Sequence, residues 1–174
     1  MAVPDVYRVF VSKDYMKFNA AHFIAFKGFR ERLHGHNYRM SVTITGDRIG
    51  HDGYLMDFGD IKKIAREVCR ELNEHFIVPS KSDVLKIDVT DETVTLVTED
   101  NKTFSFPRED CSLLPIVHSS AEELARYLMD VLLERFTMTQ MKARHATKIE
   151  VSIAEAENQL ASVTRSLDYS ELSP

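Results

Sequence analysis

The alternation of apolar and polar positions along the chain predicts the strands of one sheet. Residues 7–21 begin with alternating apolar positions and predict a strand with an irregularity at Lys13–Asp14. Residues 37–46 alternate throughout, which is typical of a strand with one buried face. Near the end of the sequence, residues 148–154 and 162–165 predict two further strands.

Two segments have the three- and four-residue spacing of apolar side chains that is typical of an amphipathic helix. The first follows Asp57 or Asp60, either of which would cap it, and runs to about Glu74. The second begins after Ser119 or Ser120, with acidic side chains in its first turn that favour the positive end of the helix dipole.

Between the two helices, residues 84–106 form three short alternating runs separated by charged turns, which predicts a β-hairpin or a small meander. The element order predicts a single α+β domain over residues 1–174. We expect an antiparallel four-stranded sheet with two helices on one face plus the inserted β-hairpin. The exposed edges of such a sheet would allow copies of the chain to close into a ring.

Composition and net charge argue against some classes of function. The chain has 174 residues, of which 44% are hydrophobic and 28% charged, as in an ordinary globular protein. A net charge of -5 argues against binding of nucleic acid or an anionic membrane surface. No leader peptide or membrane span is apparent, and Cys69 and Cys111 belong to no paired motif. We therefore predict a cytoplasmic protein with reduced cysteines.

The most informative stretch is residues 33–38, LHGHNY. His34 and His36 project to the same side of an extended chain, and Gly35 places no side chain on the other face. His22 comes close to the pair if its strand lies antiparallel to theirs. Three imidazoles suit Zn²⁺ and leave a fourth position open, as in catalytic sites.

The spacing by itself leaves an alternative open. A His-x-His pair also occurs by chance on solvated strands, and His22 beside alanines would ordinarily be a packing residue. The other histidines considered have no ligand spacing and are interpreted as surface or loop residues: His51, His118 and His145.

Several motifs together resemble the 6-pyruvoyl-tetrahydropterin synthase and 6-carboxy-tetrahydropterin synthase family. They are FNAAH at 18–22, LHGHNY at 33–38, GYLMDF at 53–58, SSAEELA at 119–125, and the late strand that reaches Glu155. The resemblance implies zinc at the three histidines and the tunnelling fold. It also implies a homo-hexamer of two trimers with pockets between subunits, and 7,8-dihydroneopterin triphosphate as substrate.

The same resemblance assigns substrate-binding roles. Glu155 matches the glutamate that anchors the pterin ring, because a carboxylate can accept two N–H bonds from the ring. A surface glutamate at a strand end is the alternative, since Glu157 is similar and close by. Ser120 matches a threonine beside the pterin, and it is equally suited to cap a helix.

Two departures from the family pattern concern catalysis. No cysteine precedes the HGH motif, and the residue that matches the usual catalytic cysteine is Glu31. The sequence thus resembles a branch in which a glutamate replaces the cysteine and the side chain is cleaved to give 6-hydroxymethyl-7,8-dihydropterin. The alternative is that Glu31 belongs to a solvated charged loop. Cations considered for the triphosphate are Lys27, Arg30 and Arg32.

The second departure follows the first helix, where the family carries an Asp-His relay. Here Asn73 and Glu74 occupy those positions, and His75 comes one residue later. A shift of one residue rotates a helical side chain by about 100°. Glu74 and His75 therefore serve as a relay only if the backbone is irregular there.

These observations support three hypotheses of different classes. The leading one is a zinc-dependent lyase that acts on dihydroneopterin triphosphate and favours side-chain cleavage over formation of 6-pyruvoyl-tetrahydropterin. The rival is a pterin-binding zinc protein with little or no turnover. A structural zinc site would need a fourth protein ligand, for which no residue is suitably spaced.

Overall fold

The computed structural model describes residues 5–170. Its largest element is a mixed parallel and antiparallel β-sheet. The strands in chain order are β1 (Tyr7–His22), β2 (Ala25–Phe26), β3 (Phe29–Arg30), β4 (His34–Gly46), β5 (His75–Pro79), β6 (Lys86–Val89), β7 (Thr93–Val97), β8 (Thr103–Pro107), β9 (Cys111–Leu114), β10 (Ala146–Ala156) and β11 (Gln159–Ser166). The helices are α1 (Phe58–Leu72), α2 (Ala121–Phe136) and α3 (Met138–Ala143), with a 3₁₀ turn at Arg108–Asp110.

The main sheet has six strands in the order β11-β10-β4-β1-β5-β9. The predicted four antiparallel strands are present, but the prediction of a four-stranded antiparallel sheet was wrong. Strand β5 pairs parallel to β1, and β9 pairs parallel to β5. After His75, the residues of β5 are apolar without alternation because both faces of the strand are buried there, and such a run has no period-two signal.

The two predicted helices are confirmed, and the structure shows which of the two candidate residues caps each helix. Asp57 caps α1 by accepting a hydrogen bond from the amide of Gly59 at 2.6 Å. Ser120 caps α2 by accepting from the amide of Glu123 at 3.3 Å. The short helix α3 follows Thr137 and was not predicted.

The two faces of the sheet bury different cores. The helices cover one face, where Phe18, Tyr38 and Ile153 are fully buried. Strands β6, β7 and β8 form the predicted insertion as a three-stranded meander rather than a hairpin. The meander packs a second core on the other face of β5, in which the rings of Phe76 and Phe106 stack at 4.3 Å. The insertion thereby reaches the loop between β1 and β4.

Two smaller predictions are also confirmed. Strand β1 has a register irregularity between Ser12 and Lys17, where the sequence predicted one. Cys69 and Cys111 are free and buried, and burial raises the pKa of the Cys69 thiol to about 12. Within residues 5–170, no helix combines the length and the apolar character needed to cross a bilayer.

Candidate metal centre and pterin pocket

Three histidines meet where β1 ends and β4 begins. His22 is paired directly with His34, and His36 lies opposite Ala20 in the same antiparallel register. Because paired residues and i, i+2 residues share one face of a sheet, the three imidazoles converge. Their ring centroids are 4.6 to 5.1 Å apart, and each ring offers a nitrogen within 4.8 Å of the other two. This group could hold a metal ion.

Backbone carbonyls orient two of the rings. Nδ1 of His22 lies 2.7 Å from the carbonyl oxygen of Ser119, and Nδ1 of His34 lies 2.7 Å from that of Arg32. A carbonyl oxygen only accepts, so each Nδ1 carries the proton and each Nε2 presents a lone pair. Within residues 5–170, Nε2 of His22 is the one buried side-chain polar atom without a hydrogen-bond partner. An unpaired buried lone pair fits a cation.

Burial also keeps His22 in the form that binds metals. Its side chain is 1% exposed, and this desolvation is the largest cause of its lowered pKa. The carbonyl of Ser119 opposes the shift, while the neighbouring imidazole of His34 adds to it. The ring of His22 is therefore neutral at pH 7, as ligation requires.

Glu155 lies beside the histidines on the next strand. Strand β10 pairs with β4 through Ala154 and Arg39, which brings the Glu155 carboxylate within 3.4 Å of the Tyr38 hydroxyl. The phenol donates this hydrogen bond, since burial and then the charge of Glu155 raise the pKa of Tyr38. A cavity of about 690 Å³ is lined by both His36 and Glu155.

Glu31 lies in the loop that leads into β4, three residues before His34. One carboxylate oxygen accepts the amide hydrogen of Ile24 at 2.9 Å, and the Glu31 amide donates back to the Ile24 carbonyl at 2.9 Å. Its charge contributes, as the smallest of several causes, to the raised pKa of Tyr38, so the carboxylate lies within electrostatic range of that hydroxyl. Glu31 is half-buried and is not part of a freely solvated charged loop.

The backbone after α1, where the relay was predicted, is irregular. Glu74 has a φ of 62°, and its amide donates to the carbonyl of Asn19. His75 pairs with Ala20, so His36 and His75 flank that alanine on one face, roughly 10 Å apart from the strand spacing. The His75 ring lies against the Glu71 carbonyl at 3.1 Å. Neither Glu74 nor His75 belongs to the three-histidine group.

Other predicted site residues are arranged as follows. Ser120 is the α2 cap, and the adjacent Ser119 is the buried residue that contacts His22. Sequence reasoning missed this contact.

The predicted cations and the remaining histidines lie outside the three-histidine group. Arg30 is paired with Asp100 at 3.2 Å, whereas Lys27 and Arg32 are exposed. His118, expected at the surface or in a loop, is a half-buried loop residue whose Nδ1 lies 3.0 Å from the Ala25 carbonyl. His51 lies exposed in a turn, and His145 is a half-buried turn residue.

Tyr38 was also missed as a site residue. The available signal was its position two residues after His36, on the same face of β4. Its partner Glu155 is 117 residues away in the sequence, so the contact itself has no local signature.

Comparisons with known proteins agree with this geometry. A family model described as 6-pyruvoyl tetrahydropterin synthase matches residues 11–166. A protein of Methanocaldococcus jannaschii, provisionally named 6-carboxy-5,6,7,8-tetrahydropterin synthase, is 33% identical over 153 residues, covering 88% of this chain and 92% of the relative. The 6-carboxy-5,6,7,8-tetrahydropterin synthase of Haemophilus influenzae is 28% identical over 127 residues, covering 70% and 80%.

Among solved structures, the 6-pyruvoyl tetrahydropterin synthase of Plasmodium vivax is 42% identical, with a TM-score of 0.90, covering 93% of this chain and 99% of that one. Variants of that protein, in which a glutamate described as a catalytic residue is replaced by alanine or cysteine, align equally well. This agreement confirms the α+β tunnelling fold. The chain belongs to the 6-pyruvoyl tetrahydropterin synthase family and is an enzyme, a lyase of the tetrahydropterin synthase type.

Proposed function

We propose that this enzyme acts on 7,8-dihydroneopterin triphosphate and that it mainly cleaves the side chain to release 6-hydroxymethyl-7,8-dihydropterin, a folate precursor. Formation of 6-pyruvoyl-tetrahydropterin is the minor reaction in this proposal. The single observation that carries it is the half-buried carboxylate of Glu31 in the loop that enters β4, the strand of His34 and His36, where the family pattern has a cysteine.

Zinc is the metal that we propose for His22, His34 and His36. Three neutral imidazoles without a thiolate suit Zn²⁺ and leave a coordination position for substrate. A bound zinc ion supplies Lewis-acid polarisation of a substrate oxygen. The protein contributes orientation, because the carbonyls of Ser119 and Arg32 hold two of the rings in one tautomer.

Glu31 is the general base in this proposal. A carboxylate held by a backbone amide keeps an acceptor lone pair for a proton from a side-chain hydroxyl, which is the step that retro-aldol cleavage needs. The glutamate described as a catalytic residue in the Plasmodium vivax synthase supports this role, and we infer that Glu31 is its counterpart.

Glu155 is the proposed anchor for the pterin ring. Tyr38 donates to one of its oxygens, so the carboxylate is oriented and retains lone pairs for two ring N–H groups. Glu157 lines the same cavity but has no such partner among the hydrogen bonds of residues 5–170. This difference favours Glu155 over Glu157.

Four further assignments remain predictions. Glu74 and His75 are proposed as the relay, and the positive φ of Glu74 supports the required irregularity. Ser120 is proposed to contact the pterin in addition to capping α2. The assembly is proposed to be a homo-hexamer of two trimers with pockets between subunits. The cytoplasm is its predicted location.

The curated relatives favour a second candidate function, formation of 6-carboxy-tetrahydropterin, because both of those compared above carry that name, the Methanocaldococcus jannaschii protein provisionally. The reaction would use the same histidines and the same pterin anchor. The two functions differ in their products, so product analysis separates them.

The decisive experiment is mass spectrometry of products after the zinc-loaded protein is incubated with dihydroneopterin triphosphate. We expect 6-hydroxymethyl-7,8-dihydropterin as the main product, and Glu31→Ala should lose most of the turnover while it retains zinc. Glu109→Ala, at an exposed glutamate, is the matched control. If the zinc-loaded protein leaves the substrate unchanged, the proposal is overturned. If such a protein still binds a pterin in calorimetry, the pterin-binding protein without turnover is the better hypothesis.

A further inference from the structure

The loop between β1 and β4 holds Glu31 with few contacts of its own. It contains the two-residue strands β2 and β3, and the Glu31 carboxylate is fixed to it by one hydrogen bond, from the Ile24 amide. The hairpin tip carries exposed aromatic side chains, Phe26 and Phe29, which stack at 4.8 Å. A hairpin of this size is marginal by itself, so other contacts must determine where Glu31 lies.

Arg30 connects this loop to the inserted meander. Its Nη1 donates to the Glu31 carbonyl at 2.8 Å, and its Nε and Nη2 donate to the two carboxylate oxygens of Asp100 at 3.4 and 3.2 Å. The guanidinium also lies 5.4 Å from the ring centroid of Phe104. A planar guanidinium can make all these contacts at once, whereas a lysine ammonium cannot.

A second contact joins the same two segments. Glu99, adjacent to Asp100, accepts the amide hydrogen of Gly28 at 2.8 Å. Gly28 has a φ of 80°, a left-handed conformation that glycine adopts without the strain that other residues would have. The two acidic residues of one meander turn therefore hold both the tip and the base of the hairpin. We call Glu99 and Asp100 the acidic turn.

The acidic turn is itself well defined. Thr98 donates to Asp100 from its hydroxyl, and its backbone amide bonds the Lys102 carbonyl at 3.0 Å. Arg30, and then Thr98, lower the pKa of Asp100 to about 2, so this carboxylate stays ionised at neutral pH. The turn belongs to the meander that packs on the second core, which makes it a firm support.

We infer that the insertion is part of the catalytic apparatus: the acidic turn positions the Glu31 carboxylate for proton transfer, through the contact of Asp100 with Arg30 and that of Glu99 with Gly28. This inference rests on the proposed role of Glu31. Arg30 and the acidic turn are positioning residues, and none of them belongs to the three-histidine group. In this role the Nε, Nη1 and Nη2 groups of Arg30, which the sequence offered as a cation for the triphosphate, donate to Asp100 and Glu31.

The test uses the full-length zinc-loaded enzyme and the double variant Glu99→Gln/Asp100→Asn, which removes two charges with little change in shape. We expect a fall in kcat of about tenfold to a hundredfold, as for a displaced catalytic group, with KM and zinc content little changed. The matched control is Asp91→Asn/Glu92→Gln, the same chemistry at the other turn of the meander.

A double-mutant cycle separates positioning from general damage. In the Glu31→Ala background, the acidic-turn substitutions should cause little further loss of rate, because their target is already absent. The inference would be overturned if the acidic-turn substitutions lowered the rate by the same factor in the parent and in the Glu31→Ala variant. Full activity of the Glu99→Gln/Asp100→Asn variant would also overturn it. If the double variant fails to fold, Asp100→Asn alone carries the same cycle, because Asp100 is the residue that pairs with Arg30.

A second readout does not depend on turnover. Amide hydrogen exchange at Ile24 and Glu31 should accelerate in the acidic-turn variants and remain unchanged in the control. Unchanged exchange would overturn the inference. If exchange accelerates but Glu31→Ala remains fully active, the acidic turn still orders the loop and the proposed base is wrong, so the two failures are distinguishable.

Discussion

Gly35 lies between two of the three histidines of the candidate metal centre, and a methyl group there should disturb that centre. A Cβ built on Gly35 would lie 3.0 Å from the backbone oxygen of Ala20 and 3.6 Å from the Cα of Ala21. Ordinary van der Waals contact is 3.4–4 Å. Since the obstructing atom is backbone of the paired strand, β1 and β4 must separate by a few tenths of an ångström. They would do so in the rows that pair His22 with His34 and Ala20 with His36.

The expected magnitude follows from this contact. Overpacking of a well-packed site costs about 1–3 kcal/mol. For a domain of this size, 1 kcal/mol corresponds to about 2–4 °C in Tm, so Gly35→Ala should unfold roughly 2–12 °C below the parent. Displacement of ligand rings should also weaken zinc binding by about tenfold to a hundredfold, as loss of supporting contacts does.

The assay is thermal unfolding in excess chelator, followed by competition of the zinc-loaded proteins against a chromophoric chelator. The chelated sample isolates the packing effect from the contribution of metal binding. Gly59→Ala is the matched control, because the atoms nearest to its Cβ, at 3.0 Å and beyond, belong to the side chain of Asp57 rather than to backbone. If Gly35→Ala matches the parent in both measurements, the close approach of the two strands does not define the site.

Four further outcomes are expected. His34→Ala should lower bound zinc from one ion per chain to nearly none in atomic emission measurements, since two imidazoles hold zinc poorly. Glu155→Gln should raise KM for the pterin by at least about tenfold with little change in zinc content, which steady-state kinetics would show; an unchanged KM would contradict the anchor. Cys69 should resist iodoacetamide at pH 8 in the native protein and react in denaturant, because burial raises its pKa to about 12. Burial likewise raises the pKa of Tyr169 to about 12, from an ordinary value of 10.0. The unfolded state loses this proton first as the pH rises, so the free energy of unfolding in urea should fall between pH 10 and 12, and Tyr169→Phe should reduce that fall.

Much of the fold was predictable because helices and alternating strands are specified by residues that are close together in the sequence. The apolar spacing of α1 and α2 and the alternation of β4 and β10 depend only on neighbouring residues. The three histidines were predictable for the same reason, since two of them are separated by one residue and the third ends a paired strand. The family motifs further strengthened the prediction of the metal centre.

Other features required the tertiary structure. Strands β5 and β9 lack alternation because the helices and the meander cover them from both sides. The choice of Ser119 rather than Ser120 as the partner of His22 depends on how the chain enters α2. The spacing of apolar residues within one segment does not indicate which distant segment will pack against it.

The same reason explains the contacts that organise the site. Tyr38 meets Glu155 across 117 residues, and Arg30 meets Asp100 across 70. The sequence by itself determined which residues could bind a metal and where the helices and most strands lie. Only the tertiary structure decided which carboxylates are oriented beside the histidines, because sheet register and packing of the insertion bring those distant segments together.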